Sequence, residues 1–352
     1  MKVLKDFDLK NKKVLVRCDF NVPLSSQGEI LNDFRIKQSL STINYLKKKK
    51  AKIILLSHFG RPQQDEVNLK KYSLKPVALR LSKLLKTRIL FLPDCIGEKI
   101  KEEIGKMKPG KIILLENLRF HKEEEENDSG FAKKLASLGD VYINDAFSAC
   151  HRAHASIEAI TKYITHGAGI LLKEESDILT DLLNNPKKPL VAIIGGKKIE
   201  TKIKLIDSIA EVANWILIGG LLEREIKAKE IDFEDPKKII LAVDNLDGFD
   251  IGPKTIELFK KKIKKAKTIF LSGSLGKTED KKYQRGSQEI IKAIIKSRAF
   301  SVAGGGETVE FIDEIGKHSK FGYISTGGGA MLELLSGKEL PGIKALENES
   351  RN

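Results

Sequence analysis

The chain has 352 residues, which is long enough for two domains, and 41% of them are hydrophobic. Its apolar runs stay short of the roughly 18 residues that a membrane helix needs, so we expect no membrane-spanning segment. The net charge of +15 suits either nucleic acid or a small anionic substrate and does not choose between them.

Three cysteines, Cys18, Cys95 and Cys150, are odd in number and widely spaced, with no CxxC pair. This pattern offers neither a disulfide framework nor a zinc site, and it fits a reducing cytoplasm. The first residues, MKVLKDFDLKNKKVLVR, contain no continuous apolar stretch followed by a small-residue cleavage site, so no secretory signal is expected. We therefore expect a cytoplasmic protein.

Short apolar strands alternate with amphipathic helices through the first half of the chain. The predicted strands are residues 13–18, 52–56, 88–92, 111–115 and 141–143, and the predicted helices are residues 35–50, 75–85 and 97–107. We expect Asn32 or Asp33 to cap the first of these helices. The alternation predicts a parallel sheet with right-handed crossovers.

Arginine and histidine side chains follow the end of strand after strand in this half. They are Arg17, then His58 with Arg61, then Arg119 with His121, then His151, Arg152 and His154. Ligands bind at the carboxyl ends of strands in open α/β sheets, and the arginine fork matches phosphate or carboxylate geometry. We therefore predict a site for an anionic small molecule, although either imidazole of the last group, taken alone, is more readily explained as a core residue.

Three other polar features leave alternatives open. Glu123–Glu126 are four adjacent carboxylates, which cannot converge on one ion, so we expect a solvated surface rather than a metal site. Cys150 stands next to His151, but neighbours in sequence seldom align their side chains, and packing or a surface thiol is expected rather than a nucleophilic pair. Arg35 lies in the first turn of its helix, where the helix dipole disfavours a cation, which indicates either an incoming anion or a surface arginine.

A helix over residues 170–183 separates the two halves. Glycines precede it and the segment NNPKKP ends it, so it is predicted to be a rigid linker with a hinge at each end. Beyond it, strands are predicted over residues 189–194, 215–218, 238–243, 267–272, 300–303 and 321–325. The segment SGSLGKTED ends like a P-loop, but the leading glycine of that motif would fall on Leu271, so we exclude it.

Glycine-rich turns join strands to helices in this second half, and they predict phosphate binding. Gly195 and Gly196 open a helix that carries Lys198 and Lys202 one turn apart, which points both amines at the same anion. Two triple-glycine turns, 304–306 and 327–329, each stand between a strand and a helix. Their helix N termini predict a polyphosphate cradle.

In this combination and order the motifs closely resemble those of phosphoglycerate kinases, and they span nearly the whole chain. They are VRCDFNVPL, SHFGRP, ENLRFH, NDAFSACHRAHAS, GGKKIETKIKLI, FDIGPKT, GGGETVEF and STGGGAMLELLSGKELPGI. The resemblance implies an α/β protein with two doubly wound parallel-sheet (Rossmann-like) domains joined by a hinge helix. The domains would be an N-terminal phosphoglycerate-binding domain over residues 1–168, the linking helix over 169–185, a C-terminal nucleotide-binding domain over 186–335 and a segment, 336–352, that returns to the N-terminal domain.

Carried onto matching positions, the resemblance also implies the residues of both half-sites. On the phosphoglycerate side they would be Asp19, Asn21, Arg35, His58, Arg61, Arg119 and Arg152. On the nucleotide side they would be Gly196, Lys198, Lys202, Gly219, Gly220, Glu279, Gly304, Gly305, Gly306 and Thr308, with Glu307 as the metal ligand. The catalytic groups would be Arg35, Lys198 and the amides of Gly327, Gly328 and Gly329.

The implied reaction is reversible, in-line phosphoryl transfer on hinge closure. The phosphoryl group would pass from 1,3-bisphosphoglycerate to ADP, giving ATP and 3-phosphoglycerate in glycolysis. Mg²⁺ would accompany ATP or ADP. The partners would be these nucleotides and the two phosphoglycerates. The protein would be a monomer that binds neither nucleic acid nor a membrane. Two alternatives are a kinase-like protein whose altered adenine pocket impairs catalysis, and a nucleic-acid binder that uses the basic face.

The chain departs from the family pattern around the expected adenine and ribose pocket. Lys197 stands where the family usually has Ala, Leu221 where it has a third Gly, and Glu307 where it has Asp. The sequence LSGS at 271–274 replaces WNGP, and Lys-Thr precedes Glu279 in place of Val-Phe. Lys197 adds a cation that either helps to hold phosphate or faces solvent.

Overall fold

The computed structural model describes residues 1–62, 69–197 and 199–348, which form two compact units. The first unit is Met1–Ser176 together with the C-terminal residues from Glu339 onward, and the second is Asp177–Lys338. No helix within the described ranges is long and apolar enough to cross a membrane. Lys198, which we predict to be catalytic, lies outside the described residues.

A six-stranded parallel sheet forms the centre of the first unit. Its strands are β1 (Lys13–Arg17), β2 (Lys52–Leu56), β3 (Ile89–Phe91), β4 (Ile112–Leu114), β5 (Val141–Asn144) and β6 (His166–Ala168). They are ordered β3-β4-β2-β1-β5-β6, and every neighbouring pair is parallel. The strand order reverses between β1 and β5, which is where open α/β sheets bind ligands.

Helices cover the first sheet and bury its apolar strands. They are α1 (Phe34–Gln38), α2 (Leu40–Lys48), α3 (Lys75–Leu85), α4 (Glu98–Gly105) and α5 (Ser129–Ala136). Helices α2, α3 and α5 each present isoleucine, leucine, valine, phenylalanine or alanine at helical spacing on the buried side. Valine and isoleucine run continuously through the central strands because a parallel sheet is covered on both faces.

The single helix predicted over residues 35–50 was wrong in one respect, because it is divided at Ser39. The buried Ser39 hydroxyl donates back to the Arg35 carbonyl at 3.5 Å, and such a bond to the previous turn bends helices. The Asn32 side chain accepts the N–H of Phe34 at 2.8 Å. The Asp33 carboxylate makes no bond to the helix N terminus and pairs instead with arginine and lysine side chains.

The long helix α6 (Ile170–Asn184) occupies the position predicted for the linker, and the boundary between the two units falls within it, after Ser176. The Asp145 carboxylate accepts the N–H of Leu171 at 3.0 Å and fixes the first turn of this helix. Burial raises the pKa of Asp145 to about 7, and its hydrogen bonds only partly oppose that effect.

The second unit repeats the plan of the first. Its parallel strands are β7 (Leu190–Ile194), β8 (Trp215–Ile218), β9 (Ile239–Leu241), β12 (Thr268–Ser272), β13 (Phe300–Gly304) and β14 (Tyr323–Ile324), in the order β14-β13-β12-β7-β8-β9. A small antiparallel hairpin adds β10 (Asn245–Leu246) and β11 (Asp250–Ile251). The strand order reverses between β7 and β12. Two doubly wound parallel sheets confirm the predicted fold class.

Six helices complete the second unit, and a seventh follows it in the chain. They are α7 (Ile203–Val212), α8 (Leu221–Ala228), α9 (Pro253–Ile263), α10 (Arg285–Ser297), α11 (Gly306–Glu314), α12 (Gly328–Leu335) and α13 (Pro341–Glu347). Helix α13 belongs to the first unit, where the N–H of Gly342 donates to the carbonyl of Cys150 at 2.9 Å.

Helix α7 begins later than predicted, so Lys202 precedes it rather than lying inside it. A short 3-10 turn, Ile199–Thr201, fills the space between the glycines and the helix. The N–H of Ile199 donates to the Glu225 carboxylate of α8 at 2.8 Å. Because this donor is held by another helix, the segment turns there instead of continuing as one helix.

Candidate active site

Four guanidinium groups and one imidazole converge at the C-terminal edge of the first sheet. Arg17 ends β1, His58 follows β2, Arg119 follows β4, Arg152 follows β5, and Arg35 comes from α1. We call these five residues the basic cluster. All of them except Arg35 follow strands of one parallel sheet, so the strand order alone brings their backbones to the same edge.

The imidazole of His58 is neutral and lies among guanidinium groups. Its burial lowers the pKa well below the usual range, and the charges of Arg17, Arg119 and Arg152 lower it further, while Asp19 opposes them. Atom Nη2 of Arg17 lies 3.2 Å from Nδ1 of His58. Because a guanidinium can only donate, His58 accepts at Nδ1 and retains its other nitrogen for a ligand.

Asp19, Asn21 and Arg35 form one connected group beside His58. Atom Nη1 of Arg35 lies 3.0 Å from Oδ2 of Asp19 and donates to the carbonyl of Asn21 at 3.0 Å. Asp19 also accepts the N–H of Asn21 at 2.9 Å and the hydroxyl of Ser148. Burial alone would raise the pKa of Asp19, but the Arg35 charge and these hydrogen bonds outweigh it and lower the pKa. The aspartate is therefore ionised and holds Arg35 in place.

Arg119 and Arg152 supply the remaining cations. Burial lowers the pKa of Arg119 to about 10, with Glu125 opposing and Arg152 and Arg17 assisting, so the group still carries its charge at neutral pH. Arg119 donates to the carbonyl of Gly60 at 2.6 Å and pairs with Glu125 at 2.9 Å. Arg152 is half-buried and its Nε lies 3.2 Å from Nε2 of His151. Arg61, by contrast, is an exposed residue in the loop after β2.

A buried polar network beneath the basic cluster contradicts our expectation for Glu123–Glu126. Glu124 is fully buried and accepts both the N–H and the hydroxyl of Ser156, at 2.9 and 2.6 Å. The same hydroxyl accepts from Nε of Arg17 at 2.8 Å, and the Arg17 and Glu124 charges are 3.9 Å apart. A 3-10 turn, Lys122–Glu124, directs this one glutamate inward. Three-residue turns leave no sequence periodicity, so the sequence carried no signal for it.

The described part of the first site carries more positive than negative charge. Four guanidinium groups of the basic cluster face the buried carboxylates of Asp19 and Glu124, and the exposed Glu125 lies at the margin. Burial weakens the screening of charges by water, so an anionic ligand gains more here than it would at an open surface. The arrangement can hold a small molecule that carries phosphate or carboxylate groups.

Glycine turns follow the strands of the second sheet at its C-terminal edge. They begin at Gly195 after β7, Gly219 after β8, Gly273 after β12, Gly305 after β13 and Gly327 after β14. A Cβ atom on Gly195 would lie 2.1 Å from the Ser274 carbonyl oxygen, so the turns after β7 and β12 touch through their backbones. This contact lies at the point where the strand order reverses.

The two triple-glycine turns also touch each other. A Cβ atom on Gly328 would lie 3.0 Å from the Cα of Gly305, whose φ of +102° already favours glycine. Position 306 faces open space, so a ligand can approach the backbone there without a side chain in the way, whereas the N–H of Gly196 already donates to the Ser274 carbonyl at 3.0 Å. Helices α11 and α12 begin at these turns and direct unpaired N–H groups toward the same edge.

Lys202 is buried at this edge, and its Nζ donates to the hydroxyl of Ser272 at 3.0 Å. Burial lowers the pKa of Lys202 to about 8, and the charge of Glu307 opposes the shift. Nearby, the hydroxyl of Thr308 accepts the N–H of Gly273 at 2.8 Å. Ser272 was not predicted from the sequence, although its position at the end of an apolar strand before a glycine was a usable signal.

Lys197 joins Glu279, predicted to bind the nucleotide, and Glu307, predicted to bind the metal. Its Nζ lies 2.7 Å from Oε1 of Glu279 and 3.5 Å from Oε1 of Glu307. All three side chains are about half exposed, and the contacts raise the pKa of Lys197 and lower that of Glu279. Lys197 is therefore half exposed and paired with both carboxylates.

The structure groups most of the predicted residues. Six of the residues predicted for the phosphoglycerate side lie together in the first unit, and the seventh, Arg61, is exposed beside them. The six are Asp19, Asn21, Arg35, His58, Arg119 and Arg152. In the second unit, the predicted residues follow neighbouring strands at one edge of the sheet. They are Gly196, Lys202, Gly219, Gly220, Glu279, Gly304 to Thr308 and Gly327 to Gly329. Gly219 and Gly220 pack against Leu275 in the loop after β12.

The comparisons with known proteins agree over the whole chain. A sequence profile described as Phosphoglycerate kinase matches residues 4–238 and 222–338. Phosphoglycerate kinases of Dictyoglomus turgidum and Borrelia hermsii are 44% and 40% identical to the chain, and each match covers at least 98% of both sequences.

Two solved structures have the same fold. That of phosphoglycerate kinase from Coxiella burnetii has a TM-score of 0.83 and 34% identity, and covers 98% of each chain. That of the Pyrococcus horikoshii OT3 enzyme has a TM-score of 0.87 and 30% identity, and covers 99% of this chain and 98% of the other. With two doubly wound sheets, a cationic site on one and glycine turns on the other, the chain belongs to the phosphoglycerate kinase family of phosphotransferases that act on a carboxyl group.

Proposed function

We propose that the protein transfers a phosphoryl group reversibly between 1,3-bisphosphoglycerate and ADP, giving 3-phosphoglycerate and ATP. The observation that carries this proposal is the basic cluster at the reversal point of the first sheet, where three guanidinium groups surround a neutral His58 and a fourth, that of Arg35, is held by Asp19. A three-carbon substrate with a phosphate at one end and a carboxylate at the other presents two anionic groups to such a site. Family membership supplies the second substrate, ATP or ADP.

The first unit is proposed to bind the phosphoglycerate. Arg119 and Arg152 would hold its phosphate through guanidinium forks, and Arg61 would add a third cation from the exposed loop. His58, being neutral, would bind a substrate oxygen without changing the charge balance. Asp19 and Asn21 keep Arg35 oriented, and Arg35 would neutralise charge on the moving phosphoryl group.

The second unit is proposed to bind the nucleotide. Backbone N–H groups of the glycine turns, with Lys202, would surround the phosphates. Thr308, Glu279 and the turn at 219–220 would lie along the rest of the nucleotide. Lys198 and the amides at 327–329 are proposed, from the family resemblance, to contact the transferred group.

The chemistry makes few demands on proton transfer. A carboxylate oxygen of 3-phosphoglycerate attacks the γ-phosphorus of ATP while the bond from that phosphorus to the β–γ bridging oxygen breaks, and ADP leaves with the electron pair. Since the carboxylate is already ionised, no general base is required. The protein has to align the two oxygens and neutralise the charge between them.

Mg²⁺ is proposed as the metal that accompanies the nucleotide. It prefers oxygen ligands and usually combines one or two protein carboxylates with phosphate oxygens and water. Glu307, an exposed carboxylate in the first turn of α11 beside the triple glycine, fits that donor set. When bound there, the ion would neutralise phosphate oxygens.

Further aspects of the organisation are also proposals. We propose that the phosphoglycerate domain, hinge helix, nucleotide domain and returning C-terminal segment follow the predicted boundaries, and that closure about α6 excludes water.

We propose a cytoplasmic monomer without nucleic-acid or membrane partners. The three cysteines are free and buried, and the lysine run in α9 is partly neutralised, since Lys260 pairs with Glu257 and Glu289. The alternative of an impaired kinase-like protein is not favoured by the comparisons.

A coupled assay of ATP formation from ADP and 1,3-bisphosphoglycerate tests the proposal. We expect Arg35→Ala to lower kcat by about 1,000-fold, since removing a cation from the transferred phosphoryl group has effects of that order. Lys37→Ala is the matched control. It removes a cation from the same helix that pairs with Asp33 rather than Asp19, so it should stay within about twofold of wild type.

Retention of wild-type turnover by Arg35→Ala would remove the proposed role of the basic cluster. Absence of turnover in the wild type, with MgADP or MgATP binding lost in calorimetry, would support the impaired-kinase alternative. Gel-shift binding of nucleic acid that persists in 3-phosphoglycerate, without kinase activity, would support the nucleic-acid alternative.

A further inference from the structure

Next to the basic cluster, but not part of it, Asp94, Cys95 and His121 bring an oxygen, a sulfur and a nitrogen donor together. Each offers one ligand atom, and the three atoms lie within 4.8 Å of one another. Strand pairing explains the meeting. Asp94 and Cys95 follow β3, His121 lies beyond β4, and these two strands are parallel neighbours. Two adjacent strand ends therefore deliver the donors to one place.

We propose that Asp94, Cys95 and His121 form a transition-metal site of the zinc type, with one open coordination position. Thiolate, imidazole and carboxylate together are a donor set that Zn²⁺ binds, whereas Mg²⁺ takes oxygen ligands. Three protein ligands leave a fourth tetrahedral position for water. Cysteine spacing gave no sign of zinc in the sequence, because only one of the ligands is a cysteine.

The geometry needs a small adjustment. Nε2 of His121 lies 2.8 Å from Oδ1 of Asp94, a hydrogen-bond distance. Ligand atoms about 2.0–2.2 Å from a tetrahedral Zn²⁺ stand roughly 3.3–3.5 Å apart. The Asp94 side chain is 49% exposed, and rotating it breaks one further hydrogen bond, from the N–H of Cys95 to Oδ1 at 2.6 Å, whereas the His121 ring packs against Phe131 with centroids 5.2 Å apart. Asp94 is therefore the ligand that would move to make room for the ion.

The surroundings of the thiol favour a cation. The carboxylates of Asp94, Glu124 and Glu116 place negative charge around it. The same negative charges attract a divalent ion, whose charge offsets them and stabilises the thiolate. Cys95 is almost inaccessible, so an ion would enter beside the partly exposed Asp94 and His121. The proton of the Cys95 thiol would pass to solvent when the ion binds.

Titration of the metal-free full chain with Co²⁺, without nucleotide, tests the site. We expect one Co²⁺ per chain, with the ligand-to-metal charge-transfer absorption of a cobalt–thiolate bond, displaced by Zn²⁺ but not by excess Mg²⁺. Cys95→Ser should abolish that absorption. Cys150→Ser, which removes another buried thiol from the same unit, should retain it and serves as the matched control.

Two further variants keep the test informative if Cys95→Ser does not fold. Asp94→Asn and His121→Gln change partly exposed side chains, and each should weaken Co²⁺ binding by about tenfold or more. The proposal is overturned if the wild type shows no cobalt–thiolate absorption, or if Asp94→Asn and His121→Gln bind Co²⁺ as tightly as the wild type. Because no nucleotide or phosphoglycerate is present, either outcome leaves the proposed kinase reaction unaffected.

Discussion

The two units offer different kinds of positive charge to an anionic ligand. The basic cluster of the first unit is made of side chains, and the second unit offers mainly backbone N–H groups at glycine turns. Burial and the neighbouring cations lower the pKa of Arg119 and keep His58 neutral, and the fully buried Glu124 lies beneath them. Backbone groups need no counter-charge but require close approach. The first site should therefore be sensitive to changes of charge and the second to changes of shape.

The largest effect on stability is expected from the buried counter-charge of the first site. Glu124→Ala should lower the free energy of unfolding by about 3 kcal/mol, because it leaves Arg17 without its buried counter-charge and Ser156 without its acceptor. Chemical denaturation measures the change. Glu126→Ala, an exposed member of the same glutamate run, is the matched control and should change stability by less than about 0.5 kcal/mol. Equal stability of both variants would mean that the network contributes nothing.

A smaller effect concerns Lys202, the buried cation among the glycine turns. With a pKa of about 8 its ammonium form predominates at pH 7 and is lost as the pH rises through 8. Charged Lys202 attracts phosphate, so ADP affinity should fall by about tenfold between pH 7 and pH 9.5. In Lys202→Arg the charge persists, and calorimetry should show a much flatter pH dependence. The same fall in both proteins would assign the effect to another group.

The smallest effect is expected at Lys197, which is half exposed. Its ammonium lies 3.5 Å from Glu307 and competes with Mg²⁺ for that carboxylate. Lys197→Ala should therefore reduce the Mg²⁺ concentration needed for half-maximal MgADP binding by about threefold, as expected for an exposed ion pair worth less than about 1 kcal/mol. Calorimetric titrations at several Mg²⁺ concentrations measure this change. An increased Mg²⁺ requirement would show instead that Lys197 helps to hold the phosphates.

The sequence predicted the fold well because both sheets are fully covered. Strands such as KVLVR and KIILL are continuously apolar, and amphipathic helices alternate with them, which local patterns reveal. We did not predict strand β6 or the hairpin β10–β11. Strand β6 has three residues, one of them Gly167, and each hairpin strand has two, which is too short for any periodicity to appear. The break at Ser39 was missed because it depends on one serine hydroxyl turning back to the previous helical turn.

The two sites differed in how far the sequence revealed them. Glycine turns after strands are local patterns, so the second site could be located directly. The first site was located by its arginines, but its support from Glu124 and Ser156 joins residues 32 positions apart. The contacts of Lys197 with Glu279 and Glu307 also span long separations in the chain. Contacts of this kind depend on the tertiary fold, which single-sequence patterns do not report.

Separate calorimetric titrations of Arg152→Met with 3-phosphoglycerate and with MgADP test the division of labour most directly. Loss of a guanidinium–phosphate contact worth about 2 kcal/mol should weaken 3-phosphoglycerate binding by about 30-fold. MgADP affinity should remain within about twofold of wild type. Unchanged 3-phosphoglycerate binding, or equal weakening of both ligands, would contradict the assignment of side-chain charge to one site and backbone groups to the other.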